Sequence, residues 1–202
     1  MRLLLFLNLL LLYSCSNSQS QKDNMLGKSV ELYNVFDKEN HLRPEFNKAT
    51  FDTLHSWDFG WEILEPINKA KDDNHEKKLA RRFSPGQKAL YFIWYLDAQV
   101  TNGGFIQFFW NYDRQYIPPI LAGLELIGDT SMIDLVNKAD AEYLKYKKEF
   151  DQQKRKKDWS PLYDTLKNFE KFDEKYYATH DKMMELIEAY ARKHPDEFVK
   201  FK

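Results

Sequence analysis

The fold is decided by residues 100–112, VTNGGFIQFFWNY, where two adjacent glycines follow a strongly apolar run. That run begins at Ser84-Pro85, a pair typical of a helix start, because serine accepts early backbone N–H groups and proline suits the first helical position. Apolar residues then recur at helical spacing through the following turns. Gly103 or Gly104 can adopt the positive φ that closes a helix, which residues with a Cβ resist. The sequence therefore predicts a sharp corner between two helices.

The corner carries aromatic and amide side chains directly after the glycines. Phe105, Phe108 and Phe109 are expected to bury against the aromatic helix that precedes them. Gln107 and Asn111 lie four residues apart and so share one helical face. Amides do not titrate near neutral pH, so this pair cannot act as a general acid or base, but it can orient and recognise a ligand. Three interpretations stay open: a structural corner, a partner-binding surface and a catalytic loop.

Helical periodicity covers nearly all of the remaining chain. Pro118-Pro119 opens a helix that ends at Gly128, and Asp129 or Thr130 caps the next one. No strand-like alternation exceeds four residues. The predicted fold class is all-α, in the form of a single compact multi-helix domain.

Three other stretches of the helical pattern need interpretation. Residues 46–70 predict one or two helices, with Gly60 or Pro66 as interruptions, and residues 69–83 predict either a loop or a polar helix. The helix that follows Gly128 is expected to continue into residues 145–157, a charged run with seven bases and two acids. Such a run is commonly a solvated helix extension, and the alternative is contact with nucleic acid or anionic lipid.

The N-terminus has the pattern of a secretory signal: Arg2 and then about ten mostly apolar residues, fewer than the ~20 that span a membrane. It ends in Leu12-Tyr13-Ser14-Cys15, which resembles a lipobox, although Tyr13 is larger than the residue usual there. The resemblance implies cleavage before Cys15 and acylation of its thiol and of the new amine. Cys15 is the only cysteine of the chain, which favours this interpretation over an uncleaved anchor or an ordinary secretory signal.

Composition excludes an intrinsically disordered chain and gives no overall attraction to nucleic acid. Apolar residues make up 43% and aromatic residues 16% of the chain, enough for a substantial core. The 31 acidic side chains nearly cancel the 30 basic ones. Because neither sign of charge dominates, nothing steers the whole protein to DNA, and nucleic acid is not expected as a partner.

None of the five histidines has the spacing of a metal-binding helix or of a zinc site. The sequence therefore assigns no metal, no cofactor and no catalytic residue. His55, Asp58 and His180 are of catalytic residue types, and a hydrolase built from them is an alternative. Clustering of these side chains within ~3 Å beside a pocket would favour the enzyme, and their dispersal would favour a binding protein.

The corner sequence resembles a bacterial helical domain family best known from a DNA-mimic protein. The hallmark of that family is N-G-G-F-x-Q-[FY]-F-x-N, followed by a helix ending in Ile-Gly, and the resemblance covers roughly residues 84–201. The matching residues are Asn102, Gly103, Gly104, Phe105, Gln107, Phe108, Phe109, Asn111, Ile127 and Gly128. The resemblance implies an all-helical fold. In the named member, a strongly acidic surface imitates DNA phosphates and occupies a DNA-binding protein.

This chain departs from the DNA-mimic pattern in two respects. Its net charge is close to zero with a basic segment, whereas imitation of phosphates needs dense negative charge. The lipobox also places the domain away from the chromosome. The resemblance therefore implies the fold but not the DNA-mimic role.

The sequence divides into four parts. Residues 1–14 are the predicted signal peptide, and residues 15–24 are the lipidated Cys15 with a flexible polar tether that reaches roughly 15–20 Å. Residues 25–83 are an N-terminal helical part, and residues 84–202 are the DNA-mimic-type helical domain. The all-α domain thus follows an N-terminal lipoprotein signal peptide, which predicts a bacterial cell-envelope protein on the periplasmic or surface face.

The expected function is that of a lipid-anchored extracytoplasmic protein-binding module without enzyme activity. Its partner is an unknown protein, toward which an inhibitor or immunity-like role is open, and it meets the membrane through its N-terminal lipid. The partner-binding or structural motif comprises Asn102, Gly103, Gly104, Phe105, Gln107, Phe108 and Asn111. The alternatives are a cytoplasmic DNA-mimic regulator of a DNA-binding protein and a hydrolase with a His/Asp site.

Overall fold

The computed structural model describes Tyr33 and residues 35–202. The predicted signal peptide, Cys15, the tether and the first residues of the N-terminal helical part lie outside the described residues. Over the described range, eleven α-helices, one 3-10 helix and two short strands follow one another with short connections. No helix in that range is both long enough and apolar enough to cross a membrane.

In chain order, the elements are β1 (Glu45–Phe46), α1 (Lys48–Thr53), α2 (Ser56–Leu64), α3 (Asp73–Ala80), α4 (Pro85–Tyr112), α5 (Ile117–Ile127), α6 (Thr130–Lys145), α7 (Lys147–Lys156), α8 (Ser160–Thr165), a 3-10 helix (Lys167–Phe169), α9 (Glu170–Tyr177), α10 (His180–Lys193), α11 (Pro195–Phe198) and β2 (Lys200–Phe201).

The all-α prediction is confirmed for the described residues, with one small addition. β1 and β2 pair in parallel, with Glu45 opposite Lys200 and Phe46 opposite Phe201. Sequence periodicity did not predict this pair, because each strand has only two residues. The pairing joins the N-terminal part of the described chain to its C-terminus. Side chains from both sides of residue 84 belong to one continuous buried core.

Helix α4 is the centre of this core, and it packs against α2, α5, α9, α10 and α11. It begins as predicted: Ser84 Oγ accepts the Gln87 N–H at 3.0 Å, and the Ser84 N–H donates to Gln87 Oε1 at 3.0 Å. This reciprocal pair satisfies two amides that a helix start leaves without partners. Many of the following side chains are buried, and the buried apolar ones lie on several faces of α4.

The predicted end of α5 and the predicted cap of α6 are confirmed. Gly128 ends α5 with a φ of 77°, in the left-handed region that favours glycine. Asp129 then accepts the Met132 N–H at 3.1 Å and caps α6. These signals were readable because each cap involves residues that are close in sequence.

Other predicted boundaries were wrong or incomplete. Gly60 does not interrupt a helix: it lies inside α2, where a Cβ would stand 2.7 Å from Cζ3 of Trp94 and prevent close packing. The interruption falls instead between α1 and α2, and Pro66 lies in the turn after α2. The charged run is not continuous with α6, because a break at Tyr146 separates α6 from α7. Residues 73–80 form the polar helix α3 rather than a loop.

Candidate functional site

The two adjacent glycines bend α4 at the predicted corner. Gly103 has φ −156° and ψ 26°, and Gly104 has φ 69° and ψ −176°, so neither residue is helical. The conformation of Gly104 belongs to a region that essentially only glycine populates. Two helical halves therefore meet at a kink, and the second half starts at Phe105.

Side chains from two later helices fix this kink. The Phe105 N–H donates to Asp173 Oδ1 at 2.8 Å, so a residue of α9 caps the second half of α4. The same carboxylate lies against Gly104, since a Cβ there would stand 2.7 Å from Cγ of Asp173. The Tyr163 hydroxyl of α8 donates to the Gly103 carbonyl at 2.7 Å. The corner is thus a tertiary structure rather than an isolated turn.

The cap of the second half is a carboxyl group with a shifted pKa. Burial raises the pKa of Asp173 to about 6, and the hydrogen bond from the Phe105 N–H opposes that rise. Because this folded-state pKa lies above the unfolded value of about 3.9, the folded protein holds the proton more tightly. The stability contributed by this group is therefore complete below the unfolded pKa and is lost as the pH rises through the folded pKa.

We expect Asp173→Asn to remove that part of the pH dependence. From about pH 4 to about pH 7, the free energy of unfolding of the wild type should fall relative to that of the variant, since only the wild type must ionise a half-buried carboxyl. Urea unfolding of both proteins across this range measures the difference. Glu174→Gln, at an exposed carboxylate of the same helix, is the matched control. Parallel curves for wild type and Asp173→Asn would contradict the prediction.

The phenylalanines of the motif are core residues. Phe105, Phe108 and Phe109 are completely buried. Phe109 stacks on Tyr143 with ring centroids 4.3 Å apart, and Phe105 meets Tyr176 edge-on at 6.0 Å. These contacts hold the second half of α4 against α6 and α9. The three side chains are therefore structural and are not available to a partner.

The amide side chains form a chain of hydrogen bonds across the kink. Asn102 Nδ2 donates to Gln107 Oε1 at 2.9 Å, and Gln107 Nε2 donates to Gln99 Oε1 at 3.0 Å. Asn111 Nδ2 donates to the same oxygen of Gln99 at 2.5 Å. Gln107 is buried, whereas Asn102 and Asn111 are exposed. The chain joins the two halves of α4 and presents its two asparagines to the outside.

Aromatic side chains from later in the chain contact the residues next to these two asparagines. Tyr177 is 52% exposed, and its hydroxyl donates at 2.9 Å to the carbonyl of Thr101, just before the corner. Trp159 is 40% exposed and meets Tyr163 edge-on at 5.6 Å. We define the corner surface by Asn102, Asn111, Trp159, Tyr163 and Tyr177. Exposed tyrosine and tryptophan are the residue types that most often dominate binding energy in protein interfaces.

Sequence reasoning identified the motif but not most of this surface. Asp173, Tyr163, Tyr177 and Trp159 lie far from the motif in sequence, in α8, in α9 or directly before α8. Their neighbourhood in the sequence carries no signal that would connect them to the corner. Only the packing of α8 and α9 against α4 brings them there.

The residues of the alternative hydrolase do not form one cluster. His55 Nδ1 pairs with Glu188 Oε1 at 2.9 Å, whereas His180 Nδ1 lies 3.7 Å from Asp97 Oδ1. Within the described residues, no hydrogen bond or ion pair joins His55, Asp58 and His180 to one another. In the same range, no group of three or more His, Cys, Asp and Glu side chains is arranged to hold a metal ion. Among the described residues, the side chains of the hydrolase alternative are therefore dispersed.

The chain was also compared with known proteins. Residues 81–194 match the family model described as DMP19-like protein, which covers more than half of the chain and contains the whole of α4. This match agrees with the resemblance of the corner motif to a DNA-mimic-type family. No curated protein and no solved structure matches the chain.

Proposed function

The chain belongs to the DMP19-like protein family, and from this membership we propose that it is a non-enzymatic module that binds another protein. In the same proposal, lipid on Cys15 anchors it to the bacterial cell envelope, on the periplasmic or surface face. The corner surface is the part that contacts the partner. An inhibitory or immunity-like role toward that partner fits a tethered domain of this kind.

One observation carries the proposal of protein binding: exposed aromatic and amide side chains lie together on a backbone that is held in place. The Asp173 cap and the Tyr163 hydroxyl bond fix the kink from two later helices. A surface that is already ordered loses little conformational entropy when a partner binds. Trp159 and Tyr177 supply apolar area, and the asparagines supply hydrogen-bonding groups that select the partner.

A second exposed aromatic pair is the main rival surface. Trp57 and Trp61 of α2 are 45% and 43% exposed and pack on Trp94, with ring centroids at 4.0 and 5.9 Å. This pair lies outside residues 81–194, which match the family. A binding surface that belongs to the family would lie within the matched residues, which favours the corner surface.

The second candidate function is a cytoplasmic DNA mimic, which the family favours. Mimicry of DNA depends on dense negative charge, because phosphate recognition is electrostatic. Within residues 81–194, basic side chains slightly outnumber acidic ones. Recognition of a protein through aromatic and amide groups therefore fits this chain better than imitation of a phosphate backbone.

The anchor is tested by intact mass and membrane fractionation of the natively expressed protein beside Cys15→Ala. We expect the wild type to lack residues 1–14, to carry the mass of acyl chains and to sediment with membranes. Cys15→Ala should be neither cleaved nor acylated, since the acceptor thiol is gone. A soluble, full-length wild type would overturn the anchor and make the DNA mimic the leading candidate.

The binding surface is tested by photo-crosslinking in the native cells, with the photoreactive residue in place of Tyr177. We expect a discrete crosslinked species with one protein, and none with the same residue in place of Asn74. Asn74 is the matched control because it is exposed on α3, away from the family match. Crosslinking at Trp61 but not at Tyr177 would overturn the choice of surface. A DNA-binding protein in the crosslinked species would support the DNA mimic.

A further inference from the structure

The charged run of residues 145–157 separates into paired and unpaired bases. Lys145 Nζ lies 2.6 Å from Glu142, and Lys147 Nζ lies 2.7 Å from Asp151. Lys154 turns inward, where it donates to the Phe109 carbonyl at 3.1 Å. The remaining bases are exposed and form no ion pair with any described residue. They are Lys148, Arg155, Lys156 and Lys157.

These four bases lie on one side of α7 and at its end. Lys148 and Arg155 are seven residues apart with Gln152 between them, a spacing that places all three on one helical face. Lys156 lies beside Arg155 in the last turn, and Lys157 directly follows the helix. We define the basic face by Lys148, Arg155, Lys156 and Lys157.

The helix dipole accounts for part of this arrangement only. Bases in the last turn of a helix are favourable, which explains Arg155 and Lys156. Lys148 lies in the first turn, where a positive charge is unfavourable, so its exposure has no such explanation. Among nearby acids, Asp151 is paired with Lys147, whereas Glu149 of α7 and Asp158 after it are exposed carboxylates, so the four bases outnumber the exposed acids beside them.

Exposed apolar side chains flank the basic face in the sequence. Leu144, four residues before Lys148, is 46% exposed. Trp159, two residues after Lys157, is 40% exposed and is positioned by Trp110 at 6.5 Å. Tryptophan is enriched where proteins meet the membrane–water interface, and exposed Lys and Arg are attracted by anionic headgroups. Cations between exposed apolar side chains therefore match an anionic membrane surface.

We propose that the basic face binds the anionic phospholipid headgroups of the membrane to which the chain is anchored. This inference rests on the proposed lipid anchor, because the tether then keeps the domain within roughly 15–20 Å of the bilayer. At that range, the effective concentration of headgroups is high, so a weak electrostatic contact is enough to orient the domain. Trp159 belongs to the corner surface as well, so in the docked domain it faces the membrane, and contact with a protein partner falls to Tyr177 and the two asparagines.

The test uses the acylated protein inserted from outside into preformed vesicles. Cys15 is the only cysteine and is acylated, so Gln152→Cys supplies one free thiol for a fluorescent dye on the basic face. We expect the dye to be protected from an aqueous quencher in vesicles of phosphatidylcholine with phosphatidylglycerol. Protection should be absent with phosphatidylcholine alone and should be lost in high salt. Equal quenching in the two vesicles would overturn the proposal.

A variant that lacks three positive charges of the basic face provides a second test of the proposal. Lys148→Gln with Arg155→Gln and Lys156→Gln should lower the ratio of docked to undocked domain roughly a hundredfold, at about fivefold per cation. The matched control carries Lys69→Gln, Lys138→Gln and Lys193→Gln, the same change in charge at exposed positions elsewhere. Equal loss in both variants would show that only net charge matters and would overturn the basic face. If the triple variant does not fold, the protein with the unaltered basic face still tests the proposal through its protection in vesicles with and without phosphatidylglycerol.

Failure of the anchor and failure of the basic face are distinguishable. Intact mass reports the acyl chains directly and does not depend on α7. If acyl chains are absent, Cys15 is a free thiol, so the dye-labelled chain is made with Cys15→Ala and added to the same vesicles, where protection that needs phosphatidylglycerol supports the face without the anchor. A dye at Asn74→Cys, on α3, should be quenched equally in every vesicle. Protection at this position would indicate non-specific adsorption and would overturn the proposal.

Discussion

Gly104→Ala is expected to destabilise the protein by about 3–5 kcal/mol, because it combines backbone strain with a steric clash. With φ at 69° and ψ at −176°, the residue occupies a conformation that alanine avoids. A Cβ would also stand 2.7 Å from Cγ of Asp173 and 2.9 Å from its Oδ1. The carboxylate would have to move, and the hydrogen bond from the Phe105 N–H would be lost with it. In a domain of this size, the midpoint of thermal unfolding should fall by about 10 °C.

Gly128→Ala is the matched control for this prediction. Gly128 has a positive φ of 77°, but a Cβ there would meet nothing within 4 Å. It should cost only the strain of the left-handed conformation, about 1–2 kcal/mol. Urea unfolding of both variants separates strain from clash. Equal losses for Gly104→Ala and Gly128→Ala would show that Asp173 moves aside freely and that the corner is not tightly fixed.

Glu76→Ala is expected to cost about 4 kcal/mol, because this buried carboxylate is the acceptor for three tyrosine hydroxyls. Tyr33 donates to it at 3.0 Å, Tyr91 donates at 3.3 Å, and Tyr116 donates as well. Burial, followed by the nearby carboxylate, raises the pKa of all three tyrosine hydroxyls, so they remain donors at neutral pH. Without Glu76, buried phenol groups lose their acceptor, at about 1–3 kcal/mol for each group left unsatisfied.

Two further variants test whether the stability loss comes from the missing hydrogen-bond acceptor. Glu76→Gln keeps one carbonyl acceptor and should lose less stability than Glu76→Ala. Glu65→Ala removes a carboxylate that is 51% exposed and paired with Lys69, so it should change the free energy of unfolding by less than about 1 kcal/mol. Urea unfolding measures all three variants. A loss below about 1 kcal/mol for Glu76→Ala would mean that the three hydroxyls find other acceptors.

The Glu76 cluster also bears on the division of the chain. Tyr33 and Glu76 precede residue 81, where the family match begins, whereas Tyr91 and Tyr116 lie inside it. A buried cluster shared in this way couples the two parts energetically. We therefore expect one cooperative unfolding transition for the described residues rather than separate transitions for residues 25–83 and 84–202.

The parts of the fold that could be predicted are those set by local chemistry. The Ser84-Pro85 start, the glycine corner and the Gly128 end with its Asp129 cap each involve residues a few positions apart. The φ angles and local hydrogen bonds of the caps follow from residue type, whereas at the corner the glycines mark only the position, and the hydrogen bonds that fix it come from α8 and α9. The errors fell where distant contacts decide: Gly60 lies inside α2 and leaves room for Trp94, and α6 ends at a break that periodicity did not reveal.

The candidate site divides in the same way. The motif alone predicted buried phenylalanines and amides on one helical face. In the structure the phenylalanines are buried, and Gln107 and Asn111 both donate to Gln99. The aromatic part of the corner surface could not be predicted, since Trp159, Tyr163 and Tyr177 reach the corner through the packing of α8 and α9. The basic run was visible in the sequence, but which of its bases are paired depends on Asp113, Glu142 and Asp151.

By itself, the sequence determined that the described part of this protein is all-α and that its central helix is followed by a corner at Gly103-Gly104, whereas the lipobox before the domain stays a prediction. These conclusions depend on backbone conformation and on residue spacing, which short segments encode. Only the tertiary structure decided that Asp173 caps the corner, that aromatic side chains bond or pack there and that four bases of the charged run remain unpaired. The physical reason is that burial, partner and charge environment are properties of contacts between distant segments, and only the folded chain brings those segments together.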